Sequence, residues 1–472
     1  MQAGPTGRLG IVGERGFGCY WSARTLSLIG DYAFRTAFAT HIITVSGSAS
    51  VLATATAVLL LPSLLFYLVG GAVGDRAGSR RRIMVSADAA RFLTLVLIVL
   101  STLWTDSVPL LVVLAALIGI ADGFFQPVAF AYMLEITPKE KLVAANSALS
   151  VSQQIGLIGG PLLGGFLVSF AGAPWTFAFD SLTFLLSGVL LLAIGKAPAA
   201  TAAGPAGSAG QGDSAPAGQD GQGDQAGTSE DKHGADAGSG RLRQLLGDVS
   251  QGLSYVRGVH WLLISIVVGA CTNAVYAGVL DVAVPLLMAP NGARDAGSLG
   301  AFYTLQGVGA LLGAAVLVKL TVRRLGVTLY LMLALMACSL AAAGLIGGGN
   351  GALAMAVLYG VGLHFFNSLF PSLLQGKVPE HLMGRVGSFA LLGFNALMPL
   401  GALLMGPLIA VLDAGDAALT AGVAAGCVSL AALLSPSIRR LATVPSQDAG
   451  PEPAGAELPT PAGPGTDAAP AR

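Results

Sequence analysis

Runs of about twenty apolar residues, separated by short polar turns, fill this chain from residue 22 to residue 437, and no other feature constrains its fold as strongly. A helix rises 1.5 Å per residue, so roughly twenty apolar residues cross the hydrocarbon core of a bilayer. About twelve such runs occur, at 22–45, 51–73, 83–104, 108–134, 145–170 and 175–195, then at 261–288, 297–319, 326–347, 351–374, 386–412 and 416–437. In lipid only helices and closed barrels satisfy their own backbone, and continuous apolar runs select helices over the alternation of barrel strands. The fold class expected is an all-α membrane protein of twelve transmembrane helices. Composition agrees. Only 11% of residues are charged and mean hydropathy is +0.73, whereas soluble domains carry about 25% charged residues.

Charge placement predicts orientation. The turns after spans 2, 4, 8 and 10 hold Arg76 to Arg82, Lys139 and Lys141, Lys319 with Arg323 and Arg324, and Lys377 with Arg385. Those after spans 1, 3, 5, 9 and 11 have no Lys or Arg, and the turn after span 7 has Arg294 alone. The positive-inside rule then puts both termini and the even-numbered turns in the cytoplasm of a cell-membrane protein. The first twenty residues include Arg8, Glu14 and Arg15 and lack a cleavable signal pattern, so the first run is expected to stay as a helix.

Residues 197–240 and 443–472 are Ala-, Gly- and Pro-rich with almost no large apolar side chain. They cannot bury enough surface to fold and are expected to be a disordered cytoplasmic linker and tail. Four units follow: a six-helix bundle over 1–196, the linker, a second bundle over 241–442, and the tail. The segment 241–257 has the spacing of an amphipathic surface helix. The halves read as copies offset by about 241 residues. At that offset Phe124–Pro127 meets Phe365–Ser368, Pro138 meets Pro379, Gly160 meets Gly401 and Gly165 meets Gly406. Two parallel repeats joined by a long linker suit a two-bundle transporter.

Several polar residues stand out in this apolar setting. Asp31 and Arg35 share one face of span 1, the acid about ten residues inside, or roughly 15 Å deep. Asp122 sits near the middle of span 4, with Arg35 its expected partner. Intramembrane acids are costly and are default candidates for proton relays; the simpler reading is static charge neutralisation. Asp88 and Arg91 in span 3 read as a pair that snorkels toward the basic turn. Asp180, Asp281 and His41 read as interfacial. Gly156, Gly160 and Gly164 form a stripe for close helix approach, continued by Gly165 and bent by Pro161. Gln126, Asn273, Tyr276, Gln306, His364, Asn367 and Asn395, with Phe365, are candidate walls of a central cavity, which suits an amphipathic organic molecule.

Other chemistries find no support. Cys19, Cys271, Cys338 and Cys427 lie far apart, with no metal-ligand spacing, so neither a disulfide framework nor a metal site is expected. No G-x-x-x-x-G-K-[ST], H-E-x-x-H or G-x-S-x-G occurs, so no enzyme activity and no cofactor are expected. The basic residues serve the membrane surface rather than nucleic acid.

The turn G-A-V-G-D-R-A-G-S-R-R-R at Gly71–Arg82 resembles the signature loop between helices 2 and 3 of the major facilitator superfamily, G-x-x-x-D-R-x-G-R-R. Gly71, Asp75, Arg76, Gly78, Arg80 and Arg81 fall on that pattern, and Ser79 departs from it. The stretch Gly156–Gly165 resembles the span-5 signature of the superfamily's exporters, G-x-x-x-G-P-x-x-G-G, and a Gly-Asp near Asp31 recurs in its enterobactin-exporter and macrolide-efflux branch. The resemblance implies two pseudo-symmetric six-helix bundles. It also implies a latch in which Asp75 caps the start of span 11 near Gly387 or Ser388, with Glu135 sharing Arg76 or Arg80. The implied function is export of a drug, siderophore or secreted natural product, by a monomer in the lipid bilayer, in exchange for protons. The arginine motif of many span-4 drug–proton antiporters is absent. A proton-linked importer and a non-transporting receptor or scaffold on the same fold stay as competing readings.

Overall fold

The computed structural model describes residues 10–76, 79–194, 254–320 and 322–441. The expected linker and tail, and all but the last turn of the expected amphipathic segment, lie outside the described residues. The described chain is almost entirely helical. The first half comprises α1 (Arg15–Ser46), α2 (Ala49–Arg76), α3 (Arg80–Trp104), α4 (Val108–Ile136), α5 (Leu142–Ala171) and α6 (Ala173–Ala193). The second comprises α7 (His260–Met288), α8 (Ala296–Lys319), α9 (Leu325–Ile346), α10 (Gly349–Lys377), α11a (Glu380–Asn395), α11b (Met398–Leu412) and α12 (Ala414–Ala432).

Among the described residues, 11 helices are long and apolar enough to cross a membrane. The twelfth, α1, has the length at 32 residues but is made less apolar by Asp31, Arg35 and His41. Helix ends follow local chemistry. Gly47 takes a left-handed φ of 60° after α1 and donates its N–H to Ile43 O, where a side chain would be strained. At the start of α12 the Asp413 carboxylate accepts from the N–H groups of Gly415 and Asp416, as an N-cap should.

Two breaks depart from the expected continuous spans. A wide π-type segment occupies Val279–Ala283 within α7, just ahead of Pro285, which has no N–H to give the carbonyl of Asp281. The eleventh span parts into α11a and α11b at Ala396–Leu397, where Pro399 likewise leaves the Asn395 carbonyl without its partner. The apolar period is indifferent to both events, because each proline sits in an unbroken apolar stretch.

The halves pack as the repeat predicts, and the paired glycines show the relation directly. A Cβ on Gly160 would stand 2.5 Å from Tyr32 Cβ of α1, and one on its counterpart Gly401 would stand 1.9 Å from Ala274 O of α7. A Cβ on Gly165 would stand 2.7 Å from Ala296 O of α8, and one on Gly406 would stand 2.8 Å from Ser50 Cα of α2. So α5 lies on α1 and reaches across to α8, as α11 lies on α7 and reaches across to α2. Exchanging α1–α6 with α7–α12 preserves these crossings, which is a pseudo-twofold arrangement of two six-helix bundles.

The seam between the bundles closes at one end, the end remote from Arg80–Arg82. There the Ala293 N–H donates to Thr44 Oγ1 at 3.0 Å and the Gly297 N–H donates to Ser169 Oγ at 3.1 Å. Gly292, with φ of 62°, turns under Thr44 so closely that a Cβ would stand 2.1 Å from Thr44 Oγ1. Nearer mid-bundle, the Thr304 hydroxyl donates to Ile158 O at 3.1 Å. At the opposite, basic end the described polar contacts bind the first bundle to itself. Lys141 pairs with Glu14, Arg80 meets Glu135 at 3.1 Å, and Arg81 donates to the Ile194 carbonyl beyond α6.

Candidate functional site

The interior of the first bundle is built around a guanidinium. Arg91 of α3 is 1% exposed, the largest fully buried side chain among the described residues. Burying an ion costs several kcal/mol unless it is paired and hydrogen-bonded, and three helices, α3, α4 and α6, converge to do both. Arg91 Nη2 donates to Asp122 Oδ1 of α4 at 2.6 Å, and Nη1 stands 3.7 Å from Asp88 Oδ1 on its own helix. Asp88 in turn accepts from the Ser187 hydroxyl of α6 at 2.7 Å. The rings of Phe125 and Phe184 face Arg91 with centroids 4.6 and 5.0 Å from its guanidinium carbon, a cation–π setting.

The network continues outward from Asp122. Gln126 Nε2 donates to Asp122 Oδ1 at 3.0 Å, and Gln126 Oε1 accepts from Arg24 Nη2 of α1 at 2.6 Å. Ser63 of α2 reaches Asp122 Oδ2 at 3.5 Å. The expected Asp122–Arg35 pair is therefore not made: the fold supplies Arg91, one helix over. The Asp88–Arg91 pair does not snorkel either, being sealed inside the bundle. Nor is Asp180 interfacial; it is 2% exposed, and its Oδ1 would stand 2.1 Å from a Cβ on Gly30 of α1. Asp281 lies in the π-type segment and lines a small cavity beside Arg35 and Tyr303.

This network opens on a cavity of about 260 Å³ whose walls include Arg24, Asp31, Arg35, Arg91, Asp122 and Gln126. A second cavity of about 250 Å³ adjoins it between the bundles, shared through Arg35, Ser63 and Gln126 and walled on the far side by α11. Asp31 and Arg35 both face the first cavity, yet no hydrogen bond or ion pair joins them among the described residues. Arg35 lies against the ring of Tyr32, 6.0 Å from its centroid.

The expected wall residues separate by environment. Gln126 and Asn395 line the second cavity. Tyr276 is buried and donates to Leu333 O at 2.7 Å, and Asn273 donates to Phe394 O at 3.1 Å, so both sit in helix packing. Gln306 is 7% exposed in the crossing of α8 and α10. His364 Nε2 and Ser368 Oγ are 3.2 Å apart along α10, Asn367 is exposed, and Phe365 is in the core. His41 lies 3.6 Å from Asp106 near the closed end.

The glycine stripe of α5 positions the acid. Gly156, Gly160 and Gly164 face Leu28, Tyr32 and Ala33, so α1 lies directly on α5 across Asp31, while Gly165 and Pro161 meet Gly300 of α8. In the loop motif, Gly71 faces Pro127 of α4 and Arg80 meets Glu135, one of the two arginines expected for that acid. Gly78 and the side chains of Asp75, Arg76 and Ser388 lie outside the described residues, and with them the expected latch contact. Sequence reading passed over Arg24. Its spacing was the available signal, since Arg24, Asp31 and Arg35, seven and four apart, form one helical stripe.

A helical bundle pair that spans a membrane and holds a charged cavity at its seam defines a carrier rather than an enzyme. The chain belongs to the Major Facilitator Superfamily, which it matches over residues 20–402. It is 30% identical over 130 residues to the putative multidrug resistance protein MdtD of Citrobacter koseri, covering 22% of this chain and 28% of that one. It is also 30% identical over 124 residues to a multidrug resistance protein B homolog of Mycobacterium tuberculosis, covering 26% and 22%. The chain thus spans about a quarter of the length of these two relatives. Among solved structures it resembles a POT family transporter in complex with a thioalcohol-conjugated peptide, with TM-score 0.67, 14% identity and coverage of 90% and 96%. It also resembles the xylose transporter XylE from E. coli in an inward open conformation, with TM-score 0.60, 16% identity and coverage of 88% and 94%. Such identities speak for the fold alone.

Proposed function

We propose that this secondary transporter exports a small organic molecule, such as a drug, siderophore or secreted natural product, across the cytoplasmic membrane in exchange for protons. The observation that carries the reading is the acid-and-arginine network of the first bundle, which opens on a cavity within that bundle adjoining a second cavity between the bundles. Asp31 lines the first cavity with no hydrogen bond or ion pair among the described residues, so it is free to take and release a proton. Asp122 is anchored by Arg91 and is the second candidate. With the basic end in the cytoplasm by the positive-inside rule, the closed seam lies outside and the bundles stand in an inward-facing state, ready to load from the cytosol. The multidrug-resistance names of partial relatives support efflux over uptake. The span-5 glycine pattern and the enterobactin-exporter and macrolide-efflux resemblance support it too. The transporter works as a monomer in the bilayer, with residues 1–196 and 241–442 as the moving bundles, and the Gly71–Arg82 loop latches the inner end when the cavity turns outward.

Accumulation assays in energised cells, with and without a protonophore, test this reading. The expected outcome is lowered internal substrate that rises when the gradient is collapsed. Raised accumulation on expression would mark an importer. Asp75→Asn should abolish transport without lowering the amount of protein in the membrane.

A further inference from the structure

One charged group of the site has no partner in the scheme above. Arg24 bonds Gln126 and Arg91 bonds Asp122, but Arg35 makes no hydrogen bond or ion pair among the described residues. Its close contact is the Tyr32 ring, 6.0 Å away. Around it lie Asp31 on its own helix, Asp122 on α4 and Asp281 on α7, none within ion-pairing reach. Arg35 is nevertheless exposed to the interior space and lines the first-bundle cavity, the second cavity between the bundles and the small cavity beside Asp281.

The second of these cavities lies between the bundles and is mostly apolar. Leu60, Leu64 and Tyr67 of α2 face Leu391, Leu392 and Met398 of α11. Ser63, Gln126 and Asn395 are its neutral polar points, and among the described residues of its lining Arg35 alone carries a formal charge. A guanidinium offers five N–H donors in a rigid fork that matches a carboxylate. A cationic ligand here would meet a like charge, and a neutral apolar one would leave those donors unmet after displacing their water.

We propose that the second cavity binds an amphipathic organic anion, whose carboxylate accepts two N–H bonds from Arg35 and whose apolar body lies between α2 and α11. This rests on reading the chain as a transporter loaded at its seam.

The test is binding to the full chain in nanodiscs, with empty nanodiscs subtracted, using three probes with one pyrene body: 1-pyrenebutyrate, its methyl ester, and a pyrenebutyl trimethylammonium. The expected result is that the carboxylate binds at least about tenfold more tightly than the ester, and the ammonium most weakly. Arg35→Gln should remove the carboxylate preference and leave the ester unchanged, and Arg35→Lys should restore part of it. A purely structural role for Arg35 would weaken all three probes together. Equal binding of carboxylate and ester by the unaltered protein, or tightest binding of the ammonium, would overturn the proposal without recourse to any variant. Because this measurement has no direction, carboxylate preference can fail while energised efflux stands, and efflux can fail while the preference stands.

Discussion

At the scale of single residues, the controlling fact is that Arg91 has no water to turn to. Its charge is tolerated because Asp122, Asp88 and two aromatic rings surround it. Arg91→Leu should therefore cost about 3–5 kcal/mol, the usual price of stranding buried partner charges. Adding Asp88→Asn and Asp122→Asn to Arg91→Leu should recover much of that loss, since no unpaired ion is left behind. Thermal unfolding in detergent reads both effects. Asp31 belongs to a different class, a cavity acid with no hydrogen bond or ion pair among the described residues. Asp31→Asn should leave the unfolding temperature nearly unchanged, keep exchange of labelled substrate across proteoliposomes, and lose accumulation driven by a pH gradient. The sequence displays each of these residues as a charge in an apolar run. Which charge meets which was not legible in it, because Asp122 and Arg91 are brought together only by the packing of α3 on α4, and spacing along one helix says nothing of its neighbour.

At the scale of elements, glycine placement decides how α1, α5 and α8 approach. Gly159 and Gly160 are adjacent in sequence yet face different worlds. A Cβ on Gly159 would meet nothing within 4 Å, whereas one on Gly160 would stand 2.5 Å from Tyr32 Cβ and 2.7 Å from Ile29 O. Gly160→Ala should destabilise by roughly 1–3 kcal/mol through overpacking and displace Asp31 with α1, while Gly159→Ala should be neutral or slightly stabilising. Unfolding temperatures of the two variants, side by side, check this contrast. The four-residue glycine period was readable as a contact stripe. The breaks in α7 and α11 were not, because a proline in an apolar span permits a kink, a π-type turn or a full break, and the surrounding helices select among them.

At the scale of the whole molecule, the pseudo-twofold relation and the closed seam are, on the proposed function, one of two alternating states. Gly292 closes that seam at a left-handed φ with Thr44 pressed against it. Gly292→Val should open the closed end, and a cysteine at Thr40, buried beneath Gly292 in the closed state, should then react with a membrane-impermeant thiol reagent from outside in whole cells. In a background with Cys19, Cys271, Cys338 and Cys427 replaced, Trp104→Cys, exposed at the end of α3, should label from outside, and Arg82→Cys only after the inner face is opened. Labelling of Arg82→Cys from outside would reverse the orientation and with it the inward-facing assignment.

The twelve-helix membrane class, the duplication and the residues that carry charge into the bilayer all follow from the sequence, since apolar length, the 241-residue offset and lone ionisable groups in apolar runs are one-dimensional quantities. The partners of those charges, the sealing of Asp88 and Asp180, the breaks at Pro285 and Pro399, and the end at which the bundles touch were decided only by the tertiary structure. Each depends on which face of one helix meets which face of another. In a membrane, where lipid and protein interiors are equally apolar, the hydrophobic pattern that would reveal those faces in a water-soluble protein is nearly flat.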